Sequence, residues 1–182
     1  VPQFSFMQLE GADIVLGVEM QSTGEVACFG SSFHDALSKA YIAAGFNLPV
    51  RGRVLITAGG PSNKERLLPL ARKIRNMEYS IMATEHTADF MESFGIYPVE
   101  RVYKISEPLR KPNISELLFK RQIDFIINIP STSTLERFVG MLDDEYQIRR
   151  KAVELGIPVL TTIESASTFI DTLEWMRTHI PT

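Results

Sequence analysis

The chain has 182 residues, 45% apolar and 23% charged, the proportions of a globular protein with a sizeable core. Its net charge of −3 gives nucleic acid no basic face, no apolar run is long enough to cross a bilayer, and VPQFSF has neither the basic nor the apolar region of a signal peptide. Cys28 is the single cysteine and His34, His86 and His179 are scattered, which excludes an intrachain disulfide and any cysteine-based metal cluster and points to a reduced, cytoplasmic compartment.

Residues 1–50 differ in pattern from the rest. Asp13–Gly17 and Val26–Gly30 are short apolar pieces that read as strands, with a turn at Ser22–Gly24. A helix follows from about Phe33 to Ala44, with Ala36, Leu37, Ala40, Tyr41 and Ala44 on one face and Gly45 ending it. This piece is too short to enclose its own core, so it is an arm on the main domain or the tail of a larger one. Leu48–Arg53, with Pro49 and Gly52, is the natural boundary.

From Val54 the pattern is regular. Strands are expected at Val54–Ala58, Tyr79–Ala83, Val99–Tyr103, Asp124–Ile129 and Pro158–Thr162. Between them lie helices: one from a capping box Ser62-x-x-Glu65 through Arg75, which Pro69 should kink or delay, and one from Thr84 to about Phe94. Asn113-x-x-Glu116 opens another, to about Arg121, and the loop 131–143 leads to a fourth from about Asp144 to Leu155. A last helix covers about Ser165–Arg177. This alternation predicts an α/β fold: a Rossmann-like parallel sheet of about five strands flanked by helices, preceded by a short β/α arm.

Ligands of such sheets bind beyond the carboxyl ends of the strands, where the polar clusters Thr57–Lys64, Thr84–Thr87, Lys104 and Asn128–Thr134 all fall. Thr84 and Thr87 sit three apart at a strand-to-helix junction, beside backbone N–H groups without helical partners. The junction suits an anion such as a phosphate; equally, Thr84 can simply cap its helix. Lys64 and Lys104 add positive charge, Thr57 a hydroxyl, and Asn128 an amide suited to a sugar hydroxyl or a carbonyl. Together they suit a phosphorylated small molecule, although each lysine alone is an ordinary surface residue. GGPSNK matches neither the P-loop nor G-x-G-x-x-G, so no nucleoside-triphosphate hydrolysis motif is present. Catalytic candidates are weak. Asp143, Asp144 and Glu145 read as a solvated helix start, His86 as a turn residue, and Cys28 as an inert strand thiol. Arg149 and Arg150 read as an exposed basic stripe.

The stretches GVEMQSTGEVACFG, MATEHTADF, DFIINIPS and YQIRRKAVELGIPVLTT resemble the carboxyl-terminal end of the large chain of carbamoyl phosphate synthase. By that resemblance, residues 1–50 are the end of the second synthetase (ATP-grasp) half with a connecting helix. Residues 51–182 are an allosteric domain sharing its fold with methylglyoxal synthase. The resemblance implies a non-catalytic effector domain of an ATP-dependent ligase, with no cofactor of its own; the parent uses ATP and Mg or Mn. The implied partners are the remainder of the large chain and its glutaminase subunit or domain, in pyrimidine and arginine synthesis, with self-association left open. It also orders the rim: Thr84 and Thr87 match the threonines that hold phosphate or carboxylate, Thr57 and Lys64 match positions that meet the effector phosphate in the nucleotide-regulated members, and Asn128 matches the asparagine that contacts the sugar, or the acetylglutamate in the other type. Asp144 matches a residue near the base. Lys104 matches the nucleotide-regulated members, where the acetylglutamate-responsive urea-cycle type carries tryptophan. Pro130 stands where bacterial members tend to have threonine, and the loop 131–143 is long, like that of the animal enzymes, leaving UMP, IMP, UTP and phosphoribosyl diphosphate as candidate effectors. A methylglyoxal-synthase-like lyase acting on a triose phosphate is the rival, but no GDQQ-like segment follows the first strand.

Overall fold

The first ladder of the chain is small: Pro2–Gln3 (β1) pairs antiparallel with Gly24–Glu25 (β2), and the Val26 N–H extends it to the Val1 carbonyl at 2.8 Å. The computed structural model describes residues 1–3, 14, 24–130 and 144–179. Most of the expected strand at 13–17 and turn at 22–24, and the loop 131–143, lie outside them. The expected strand Val26–Gly30 is not formed. Pairing falls instead at Gly24–Glu25, residues 26–30 run on without regular structure, and Phe29 points into solvent. Cys28 is therefore half-buried and outside any strand.

Helix α1 (Phe33–Ala43) begins at Ser32, whose hydroxyl accepts from the Asp35 N–H at 3.2 Å, and is followed by Gly45 at φ 84°. Its inner face buries Ala40 and sets Tyr41 edge-on against Phe169, ring centroids 5.1 Å apart.

Beyond it, strands and helices alternate. They are β3 (Arg53–Ala58), α2 (Pro61–Asn76), β4 (Ser80–Thr84), α3 (Glu85–Ser93), β5 (Val99–Val102), α4 (Ile114–Phe119) and β6 (Phe125–Ile129). Then come α5 (Asp144–Glu154), β7 (Val159–Leu160) and α6 (Ile163–His179). The sheet order is β5-β4-β3-β6-β7 and every pairing is parallel. The chain winds outward from β3 through β4 to β5, then returns to the other side of β3 as β6. The crevice between β3 and β6 is thus the topological switch point where such folds take ligands.

Alternate residues of each strand feed two apolar layers. Val54, Ile56, Ile81, Ala83, Phe125 and Ile127 pack with Leu67, Ile74, Ala88 and Met91 of α2 and α3 and with Phe169, Ile170 and Leu173 of α6. Leu55, Met82, Val102 and Ile126 face Ile114, Leu117 and Leu118 of α4 and Ile148 and Ala152 of α5. Burial on both faces explains the uninterrupted apolar strands.

Two helix starts depart from the sequence reading. No Ser62 capping box opens α2: Gly60 at φ 77° turns the chain, and Pro61 supplies a ready-made helical φ one residue before Ser62. The helix also continues through Pro69, which is exposed, so the Glu65 carbonyl that loses its partner can meet water. At α4, Asn113 does cap, its Oδ1 accepting from the Ser115 N–H at 2.9 Å, but Glu116 turns away to Lys111 and Lys120.

Candidate functional site

Thr57 and Asn128 are register partners on β3 and β6, and Thr84 ends β4 one position beyond the Ile56–Ala83 pair. Each stands two residues after a member of the layer under α4 and α5, namely Leu55, Ile126 and Met82, so strand alternation turns all three toward that same face. Lys104 follows β5, the next strand outward. Read along the sheet, the rim runs Lys104, Thr84, Thr57, Asn128. Three interstrand steps make it about 14 Å long, more than a bare phosphate needs.

At its centre is the start of α3. Thr84 occupies the N-cap with an extended backbone, φ −67° and ψ 153°, yet its side chain makes no capping hydrogen bond. The simple capping reading of Thr84 therefore does not hold. Thr87, in the first turn, is 3% exposed, and neither threonine hydroxyl makes a hydrogen bond among the described residues. Across from them Lys64, in the first turn of α2, donates its Nζ to the His86 carbonyl at 3.1 Å and lies 5.9 Å from the Phe90 ring centroid. Two spare hydroxyls, the unpaired N–H groups of a helix start and an ammonium thus gather at the end of β4.

Lys104 is exposed, at the head of a loop held by Asn113. The Asn113 amide donates to the carbonyls of Lys104 (2.6 Å) and Glu107 (3.0 Å). Glu107 in turn accepts from Arg110 at 3.0 Å and from the Lys104 N–H at 3.3 Å, and the Arg110 bond first of all holds its carboxyl below the ordinary range. Arg110 also stacks over Tyr103, 3.9 Å from the ring centroid. Asp144, at the start of α5, binds the same loop through Ser106: its two oxygens accept from the backbone N–H at 2.8 Å and the hydroxyl at 2.7 Å.

At the far end of the rim Asn128 is fully buried, with its Nδ2 donating to Thr57 Oγ1 at 2.6 Å. Behind it lies Arg149, which the sequence reading left on the surface. It is 3% exposed, and its Nη1 donates to Asn128 Oδ1 at 2.8 Å. The signal was present in the pattern: Arg149 falls on the arc of α5 that carries Ile148 and Ala152. His86 is exposed, as expected, but lies in the first turn of α3 and not in a chain turn. Among the described residues no group of three or more His, Cys, Asp or Glu side chains is placed to hold a metal, and none of their helices is long and apolar enough to cross a membrane.

The sequence profile of the MGS-like domain family matches residues 66–161. The multifunctional protein pyr1-3 of Dictyostelium discoideum is 39% identical over 181 residues, all of this chain and 8% of that protein. The carbamoyl phosphate synthase large chain of Archaeoglobus fulgidus is 38% identical over 176 residues, 97% of this chain and 16% of that one. The chain thus spans only 8% to 16% of the length of these relatives. A solved methylglyoxal synthase from Elizabethkingia anophelis NUHP1 matches 67% of this chain and 78% of its own, at 20% identity and a TM-score of 0.47.

Proposed function

The chain belongs to the MGS-like domain family, and on that premise we propose that it is the regulatory domain of a glutamine-hydrolysing carbamoyl phosphate synthase, binding a phosphorylated, nucleotide-type effector at the strand rim. The observation that carries this reading is the pair of unspent hydroxyls, Thr84 and Thr87, beside the N-terminus of α3 and the Lys64 ammonium. An anion there gains charge-assisted hydrogen bonds that no side chain now supplies. Lys104 adds charge on one side, and Thr57 meets the ligand on the other, supported by Asn128. Asp144 contributes through the Ser106 loop that carries Lys104.

In this reading residues 1–50 close the ATP-grasp half and residues 51–182 form the effector domain. The ATP, Mg or Mn, and glutaminase partner belong to the remainder of a cytoplasmic pyrimidine-pathway enzyme. This piece makes no bond in the substrate. Effector binding biases two arrangements of the large chain and so tunes synthetase sites at a distance. The lyase alternative needs a carboxylate base in the pocket, and Gly59–Lys64 supplies none.

Calorimetric titration of the chain with UMP, UTP, IMP, phosphoribosyl diphosphate and N-acetylglutamate tests the reading. A phosphorylated ligand binds, and Thr84→Ala and Lys104→Ala each weaken it about tenfold, the worth of one charge-assisted contact. Binding of acetylglutamate alone reassigns the domain to the urea-cycle type, and no binding overturns the effector site and leaves a purely structural domain.

A further inference from the structure

Arg149 reaches the rim without touching it, and its chemistry fixes the direction of every bond between. A guanidinium carries donors only, so the Asn128 atom that meets Nη1 at 2.8 Å is the carbonyl oxygen. That settles the amide orientation, which geometry alone leaves open to a flip. Nδ2 then faces Thr57, and because an amide NH₂ only donates, Thr57 Oγ1 is the acceptor of the 2.6 Å bond. The single hydroxyl proton of Thr57 stays unspent: the residue is 5% exposed, and its side chain makes no other hydrogen bond among the described residues. A buried hydroxyl proton without an acceptor is costly, and this one stands at the β3–β6 switch point.

We propose that Arg149 is a positioning residue that sets ligand specificity: the one-way relay Arg149 to Asn128 to Thr57 makes Thr57 a pure donor to the bound ligand. The ligand atom over Thr57 is then an oxygen acceptor, of a phosphate or a carbonyl, and an N–H group there is rejected. The inference rests on the effector site proposed above and adds to it a residue that contacts no ligand.

The test is a double-mutant cycle on the 182-residue chain, titrated with whichever of UMP, UTP, IMP and phosphoribosyl diphosphate wild type binds. Thr57→Val removes the donor and weakens binding about tenfold. Asn128→Asp keeps a partner for Arg149 but replaces Nδ2 by an acceptor, so Thr57 turns its proton inward. Binding again falls about tenfold or more, and Thr57→Val in that background costs less than about twofold further. The added negative charge is common to both arms and cancels. Arg149→Met, which frees the amide to flip, likewise shrinks the Thr57→Val effect, whereas Arg149→Lys keeps a donor and stays within about threefold of wild type.

Additive losses, or Arg149→Lys no better than Arg149→Met at an unchanged melting temperature, overturn the relay. Thr84→Ala separates the two levels. If it weakens binding while the Thr57 and Asn128 losses add, the effector site stands and the relay fails. If wild type binds none of these four phosphorylated ligands, or Thr84→Ala changes nothing, the effector site fails and the relay with it.

Discussion

Glu116 is gripped from both sides: Lys120 reaches one carboxylate oxygen at 2.7 Å and Lys111 the other. The Lys111 hydrogen bond first, then that of Lys120, lowers its pKa from 4.5 to about 2. A carboxyl depressed on folding adds stability above its unfolded pKa and loses it as pH falls through the folded one. Glu116→Gln should therefore lower the melting temperature at neutral pH by a margin that holds to about pH 5 and is gone near pH 2. The pair is on the surface, so the margin should also shrink in about 1 M salt. A margin that persists at pH 2 would assign Glu116 to packing instead. At this scale the sequence was half legible. Asn113-x-x-Glu116 marked the cap correctly, because an Asn oxygen two residues from a free N–H has few other uses. It misplaced Glu116, because two lysines within five positions outcompete a backbone N–H. Arg149 was misplaced for a related reason: arginine is rarely buried without partners, and its acceptor, Asn128, lies 21 residues away on another element.

Among elements, the loop from Lys104 to Asn113 depends most on one side chain. Asn113 is 3% exposed; its oxygen caps α4 and its nitrogen ties the carbonyls of Lys104 and Glu107. Asn113→Ala should cost about 2–4 kcal/mol in chemical denaturation, since the cap is lost along with the partner of two carbonyls. Asn113→Asp keeps the cap oxygen but sets a carboxylate against those carbonyls. It should leave α4 formed while loosening the loop, weakening the phosphorylated ligand through Lys104 more than any melting shift predicts. Equal loss of ligand affinity and stability in both variants would show that the loop has no separate role. The element boundaries show where local pattern suffices. The five main strands and their helices were legible because each is a buried apolar run or an amphipathic period between breakers. The start of α2 was not, since Gly60–Pro61 acts through backbone conformation and overrides the Ser62 side-chain signal. The strand at 26–30 failed because a single apolar run does not specify a partner strand, and the pairing formed two residues earlier.

For the whole molecule, alternation of strands and helices announced a parallel sheet, but not the return of β6 to the far side of β3 that creates the crevice. That order depends on contacts distant in sequence. So does the seat of α1. Tyr41 packs on Phe169, and His34 Nδ1 meets Thr172 Oγ1 at 3.1 Å, so α1 is fastened to α6. Its other side leaves Phe33 at 65% exposure, with Phe29 nearby in sequence at 95%. In the proposed enzyme α1 joins the synthetase half to the effector domain, and its exposed face is the expected route for the bias between them. Phe33→Ser is the sharper probe, because Leu37 is half-buried and its loss would also disturb packing. In the isolated chain, effector affinity by calorimetry should stay within about twofold of wild type, since Phe33 lies outside the rim. In the full-length enzyme the effector-induced change in activity should fall by more than half. Coupling between binding sites is reciprocal, so effector affinity in the full-length variant should also lose its dependence on bound ATP. Unchanged regulation with unchanged affinity would mean that the exposed face of α1 carries none of the signal. The bias would then have to enter the effector domain through surfaces other than α1.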